Sequence, residues 1–209
     1  MNVLVTGGAG YIGSVVVEQL LKHGHQTVVF DNLSKGHRAA VAPEAAFLQA
    51  DLHDNDAVIR ALETHKIEAV IHMAADSLVG ESMADPLKYF GNNIGAANSL
   101  LNAMLKVGVK KIVLSSTAAT YGAPETMPIT EDTPQRPTNP YGESKLMIET
   151  MLRWCDKAYG LRYASLRYFN AAGATERCGE DHEPETHLIP NVLRVAAGKT
   201  EHVNVFGED

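Results

Sequence analysis

Two cysteines, one tryptophan and no long apolar run mark this 209-residue sequence by what it has little of. A membrane-spanning helix needs ~20 apolar residues, and no run here approaches that, so no membrane is expected as a partner. The first residues already read as a core strand rather than a secretory leader. Cys155 and Cys178 stand apart with no metal-like spacing, which fits a reduced, cytoplasmic setting. The nine histidines are scattered without ligand spacing, and no metal is expected. Basic residues are in deficit, 18 against 25 acidic ones, for a formal net charge of −7 and a pI near 5.7. That balance argues against nucleic acid or an anionic membrane surface as the main partner. A phosphate-bearing ligand must then be held by local geometry.

What is present is an ordinary globular composition, 45% hydrophobic and 21% charged, enough for one large domain or one and a half. Short β-type runs alternate with helical patterns. The strands are expected at 2–6, 26–30, 46–49, 68–72, 110–115 and 163–168, and the helices at 11–23, 55–65, 86–107 and 140–159. Several strands are continuous apolar runs, as strands buried on both faces must be. The alternation therefore predicts an α/β fold with a doubly wound parallel sheet. Two stretches break the rhythm. Residues 123–140 carry five prolines, and residues 174–187 are polar without periodicity. Both are expected as loops over the carboxyl ends of the strands, where ligands bind in this architecture.

The first strand opens into Thr6-Gly7-Gly8-Ala9-Gly10-Tyr11-Ile12-Gly13 and then into a helix with Val16, Leu20 and Leu21 on its apolar side. Strand, glycine turn and helix form the phosphate-binding start of a dinucleotide fold. One glycine permits the turn, one lets the backbone approach the pyrophosphate, and one lets the helix pack on the strand. The next strand ends in Asp31, followed by Asn32. A carboxylate there can accept the adenosine ribose hydroxyls and repel a 2′-phosphate, which favours NAD over NADP. Asp51, with Leu52 after the third strand, is a further candidate for the adenine pocket, or else a turn residue.

Chemistry enters with Tyr141 and Lys145, four residues apart and so on one helix face. Asn139 is a good N-cap and Pro140 suits the first helical position. Tyr141 then sits near the positive helix end with an ammonium one turn below, and both influences are expected to lower the phenol from its ordinary ~10. The strand ending Ser115-Ser116-Thr117 places a hydroxyl at the same edge, either beside the Tyr141 phenol or as a cap on the next turn.

In order along the chain come the glycine loop, Asp31-Asn32-Leu33, His72-Met73-Ala74-Ala75, Val79-Gly80-Glu81-Ser82, Asn92-Asn93, Ser115-Ser116-Thr117, Tyr121-Gly122, Tyr141-x-x-x-Lys145 and Arg167-Tyr168-Phe169-Asn170. Together they resemble the UDP-glucose 4-epimerase family of the extended short-chain dehydrogenase/reductase superfamily, over nearly the whole chain. The resemblance implies bound NAD, a UDP-hexose substrate and inversion at C4 through a 4-keto sugar. Tyr141 would take the proton from the 4-hydroxyl, Lys145 would hold the nicotinamide ribose, and Thr117 would bond the sugar oxygen. By position, Met73 to Ala75, Ser77, Asn92 and Phe169 would surround the cofactor. Asn170, His187, Leu188, Asn204, Val205 and Phe206 would meet the nucleotide sugar. A homodimer through the helices at 86–107 and 140–159 is also implied, with Leu100, Leu101, Met104, Met147, Met151 and Trp154 as candidate interface positions.

There are departures. Val15 stands where the family has His, and Ser77 where other members have Lys. The family's members continue past Asp209. The expectation is a cofactor domain over 1–170 with only the start of a smaller substrate domain over 171–209, able to bind NAD but to turn over sugar poorly, with apolar surface exposed. Two other readings share these motifs. A nucleotide-sugar 4,6-dehydratase needs an Asp–Glu pair where Ala118 and Ala119 stand, and a non-catalytic NAD-binding protein can dispense with the Tyr–Lys pair.

Overall fold

A computed structural model describes residues 1–182 and 185–205. Six strands, β1 (Asn2–Thr6), β2 (Gln26–Asp31), β3 (Ala46–Gln49), β4 (Ala69–His72), β5 (Lys111–Thr117) and β6 (Arg162–Tyr168), form one sheet in the order β3-β2-β1-β4-β5-β6. Every neighbouring pair is parallel. The chain winds outward from β1 in both directions. The crevice between the carboxyl ends of β1 and β4 is the topological switch point, where such sheets bind ligands.

The period-two geometry of a strand sorts its residues onto two faces. Leu4, Val28, Phe30, Val70, Ile112 and Leu114 point to one core, which they share with helices α2 (Asn55–Thr64), α5 (Gly95–Val107) and α6 (Pro140–Tyr159). Val3, Val5 and Val29 point to the other, with Val17 of helix α1 (Tyr11–Lys22) and the connection through Val41 and Ala42. Each helix is bounded by ordinary chemistry. The Asp54 carboxylate accepts the Ala57 N–H at 3.0 Å to start α2. Gly108 and Gly160, both left-handed, end α5 and α6. Across β6 the α1-side face stays open: Ala164 and Leu166 are exposed.

The expected strands and the four expected helices are present, with three differences. β5 runs on to Thr117, paired through to Tyr168, so the Ser-Ser-Thr hydroxyls belong to the strand itself. The helix expected at 86–107 begins as a short turn, α4 (Pro86–Tyr89), and passes through a π-helical turn at Phe90–Ile94 before α5. Gly91, Asn92 and Asn93 are poor helix formers, and the wider turn re-aims both amides, as π-turns near functional sites commonly do. A six-residue helix, α3 (Val79–Ala84), and α7 (Leu188–Ala196) add two elements. α3 is too short for periodicity to reveal. α7 exposes Leu188, Ile189, Val192 and Leu193, and none of its residues is buried.

The candidate interface positions divide. Leu100, Leu101 and Met104 lie in the core against the sheet and cannot form an outer surface, while Met151 is half-buried on that core. Met147 and Trp154 of α6 are exposed. Periodicity marks an apolar stripe but not which stripe the sheet takes.

Candidate active site

The glycine loop is held by contacts that only glycine allows. Gly7 sits at φ +70°, and a Cβ there would lie 2.5 Å from the Ala74 nitrogen; a Cβ on Gly13 would fall 2.1 Å from the Gly7 carbonyl oxygen. The first places the loop against Met73 and Ala74 across the switch point. The second packs the first turn of α1 onto the loop. Gly10 is the N-cap of α1 and offers no side-chain cap, so the first-turn N–H groups of Tyr11, Ile12 and Gly13 and the positive helix end face the crevice. This cradle fits a pyrophosphate.

Asp31 ends β2 and is almost buried, at 8% exposure. Its Oδ2 accepts the Ala9 N–H at 3.0 Å and its Oδ1 accepts the Leu33 N–H at 2.8 Å. Each oxygen keeps a lone pair for a ribose hydroxyl. Exposed Asn32 donates to Asp51 Oδ2 at 2.9 Å, and Asp51 also accepts the His53 N–H at 2.8 Å. The His53 hydrogen bond holds the Asp51 carboxyl below its usual range. Asp51 is thus a turn acid that also anchors Asn32. Leu52 packs its side chain into the core, leaving only its backbone for a ligand.

Asn139 and Pro140 start α6 as expected: the Asn139 Oδ1 accepts the Gly142 N–H at 2.8 Å, and Pro140 takes the first turn. Tyr141 therefore stands in the first turn, edge-on to Tyr89 at 6.4 Å between ring centroids. Lys145, one turn on, is 2% exposed, and its ammonium donates to the Ser115 carbonyl at 2.8 Å. Burial pushes the Lys145 amine down to about 8. The Tyr141 phenol is raised rather than lowered as its sequence position leads one to expect. Burial raises it, and the adjacent Thr117 hydroxyl pulls it down by less. Desolvation of the phenolate is the larger influence, and the Lys145 ammonium is engaged with the Ser115 carbonyl. Thr117 is a cap, its Oγ1 accepting the Ala119 N–H at 3.1 Å, and its hydroxyl also lies beside the Tyr141 phenol.

Behind these residues are two networks that sequence reasoning missed. Asn93, buried in the π-turn, donates to the Asp76 carbonyl and to Ser144 Oγ, both at 3.0 Å, and accepts the Asp76 N–H at 2.9 Å. Asn92 donates to Asp76 Oδ2 at 3.0 Å. The segment after β4, with Met73 and Ala74 half-buried and Ser77 exposed, is thereby tied to α6 between Tyr141 and Lys145. One turn past Lys145, the Glu149 carboxylate accepts from Ser116 Oγ and forms a two-point pair with Arg167, at 3.1 Å from Nε and 2.8 Å from Nη2. Glu149 lying four residues beyond Lys145 was the available sequence signal. Burial works against its charge, but hydrogen bonds from Arg167, Ser116 and Gln135 prevail and hold the carboxyl low.

The sugar-side residues are less gathered. Phe169, Asn170, His187, Leu188, Asn204 and Val205 are all exposed, and Phe206 lies outside the described residues. His187 turns Nδ1 toward Glu180 and Glu185, at 2.7 and 2.8 Å. Residues Glu180, His182, Glu185 and His187 converge; the four-residue gap between His182 and His187 falls within zinc-ligand spacing and was a signal the sequence offered. Both cysteines are free thiols, and among the described residues no helix is long and apolar enough to cross a membrane.

A glycine-loop helix, an acid closing β2 and a Tyr–Lys helix facing a hydroxyl-ended strand define a Rossmann-type dinucleotide site with acid–base capacity. The chain belongs to the NAD dependent epimerase/dehydratase family, whose profile matches residues 3–208. It is similar to the UDP-glucose 4-epimerases of Halalkalibacterium halodurans (56% identical, covering 100% of this chain and 63% of the relative) and Lacticaseibacillus casei (54%, covering 100% and 64%). Among solved structures it resembles UDP-glucose 4-epimerase from Brucella ovis in complex with NAD, with TM-score 0.96 and 47% identity over 99% of this chain and 64% of that one. The enzyme from Bifidobacterium longum in complex with NAD+ and UDP gives TM-score 0.94 at 39% identity, over 99% and 65%. The chain thus spans less than two thirds of the length of these relatives.

The Glu149–Arg167 pair makes a stability prediction. Glu149→Ala leaves a partly buried guanidinium and Ser116 without their partner, and should cost about 3–5 kcal/mol in denaturant unfolding. Because the folded-state carboxyl is depressed, this contribution is complete above the ordinary Glu range and is lost as pH falls through the folded value. Glu149→Gln should lack that acid-side loss. Equal stability of all three proteins would contradict the reading.

Proposed function

We propose that this chain is the NAD-binding and proton-transfer part of an enzyme that inverts C4 of a UDP-hexose, UDP-glucose or UDP-galactose. The observation that carries it is the placement of Tyr141, Lys145 and Thr117 around the carboxyl end of β5, beside a glycine loop closed by Asp31. Relatives solved with NAD, and with NAD+ and UDP, support the ligand classes.

NAD in the crevice supplies a hydride acceptor that can return the hydride to either face of a keto sugar. The residues of the chain do the rest. The α1 N-terminus takes the pyrophosphate, and Asp31 takes the ribose hydroxyls. Lys145, already desolvated, can hold a ribose hydroxyl once it leaves the Ser115 carbonyl. Tyr141 removes and returns the proton at the 4-hydroxyl, while Thr117 steadies the same oxygen. Ala118 and Ala119 have no group to move protons at C5 and C6, which disfavours dehydration.

We read residues 1–170 as the cofactor domain and 171 onward as the start of a substrate domain, docked on α1 through Thr175–Glu18 (2.7 Å) and Tyr11–Gly173 (2.5 Å). The exposed Leu166, Phe169, Leu188 and Leu193 fit a surface that the further length seen in the relatives would cover. A cytoplasmic location fits the free thiols. A homodimer would use the outward side of α6, with exposed Met147 and Trp154 in its centre. Sedimentation that finds only monomer at high concentration would refute it.

The test joins two variants in the protein extended to the relatives' full length. Product NMR after incubation with UDP-galactose should show UDP-glucose, whereas a 4-keto-6-deoxy sugar would overturn the reading. Tyr141→Phe should lower turnover by about 10²–10⁴-fold with NAD still bound. Asp31→Ala should weaken NAD by about 1–3 kcal/mol and narrow its preference over NADP. Equal affinity of the unaltered protein for both dinucleotides would contradict the role of Asp31.

A further inference from the structure

Beside the start of α1, Glu180, His182, Glu185 and His187 bring four potential ligand atoms within 4.8 Å of one another. Glu180 Oε1 stands 2.7 Å from His187 Nδ1 and 3.5 Å from His182 Nδ1, and Glu185 Oε1 is 2.8 Å from His187 Nδ1. The Glu185 side chain is 2% exposed and that of Glu180 12%. Two carboxylates are thus withdrawn from water around two imidazoles.

Hydrogen bonding alone leaves this group unsatisfied. A proton on His187 Nδ1 can serve its two carboxylates, yet His182 Nδ1 is fully buried and has no hydrogen-bond partner among the described residues. An orphaned buried ring nitrogen facing a carboxylate costs desolvation with no return. With both rings neutral, the two carboxylates carry two negative charges, which a divalent cation would balance.

We propose that these four side chains form a site for a divalent transition-metal ion, of which zinc is the best match. Two imidazole nitrogens and two carboxylate oxygens are a borderline donor set that suits zinc better than calcium or magnesium. Ligands about 2.0–2.2 Å from a tetrahedral ion lie roughly 3.3–3.5 Å apart, so the pairs now hydrogen-bonded at 2.7 and 2.8 Å would open and the wider ones, within 4.8 Å, would draw in. The role is structural, since four protein ligands close the coordination shell. His187 is the N-cap residue of α7, and the His182 ring stands edge-on to Tyr11, the first residue of α1, at 6.3 Å between centroids. An ion here would join Glu180 and His182 to Glu185 and His187 just ahead of α7 and fix the His182 ring against Tyr11. His187 Nε2 stays free for a ligand.

The test is calorimetric titration of chelator-treated protein with zinc chloride. Saturable binding of one ion per chain is expected, with a rise in Tm on loading. His182→Ala and Glu185→Gln should each weaken binding at least tenfold, while Cys178→Ser should bind as the unaltered protein does. Zinc-edge X-ray absorption on the unaltered protein should show nitrogen and oxygen ligands only, a readout that does not depend on any variant folding. Absence of saturable binding, sulfur in the shell, or full affinity in both His182→Ala and Glu185→Gln would overturn the site.

Discussion

The interaction on which the site depends is the burial of one ammonium. Lys145 is withdrawn from water and offered the Ser115 carbonyl. A cation in that position is costly unless the helix that carries it and the strand that receives it are both fixed. The Asn139 cap sets where α6 begins, and Glu149, bonded to Ser116 on β5 and Arg167 on β6, clamps the next turn to the sheet. Asn93 ties Ser144, between Tyr141 and Lys145, to the segment after β4. The helix is held at several levels, and the acid–base group at its first turn inherits that rigidity.

The same burial explains why Tyr141 is not a ready-made phenolate. Removing water from around the ring raises the phenol, and the Thr117 hydroxyl does not offset this. A base at this point needs positive charge within a few ångströms, and Lys145 is the cation one turn away. Burial holds the Lys145 amine down at about 8, and its ammonium is spent on the Ser115 carbonyl. The cradle at α1 is built on the opposite principle. It has no charged side chain, only backbone N–H groups made available by Gly7, Gly10 and Gly13, which suits a chain whose net charge is negative.

Much of this was legible in the residues. The apolar runs and their alternation mark the six parallel strands, and the glycine spacing with Asp31 marks the crevice. Asn139-Pro140 locates Tyr141 to the residue, because capping chemistry is local. What stayed hidden depends on tertiary context. Nothing in Gly91-Asn92-Asn93 announces a π-turn. Leu100 and Met147 carry similar apolar side chains, yet the sheet buries one and leaves the other exposed. Glu149 and Arg167 meet across elements, and His182 and His187 converge through an irregular segment with no period to read. The direction of the Tyr141 phenol is set by desolvation, which a sequence does not display.

The direct measure of this account is the titration of Lys145, followed by NMR of its side-chain nitrogen with Lys145→Met to assign the signal. A midpoint near 8 is expected, against ordinary lysines near 10.5. Between those two values the unfolded chain binds more protons than the folded one, so stability should rise with pH over that window and should not do so in Lys145→Met. A Lys145 midpoint at the ordinary lysine value would mean that the ammonium is hydrated, and would contradict the packing that places Tyr141.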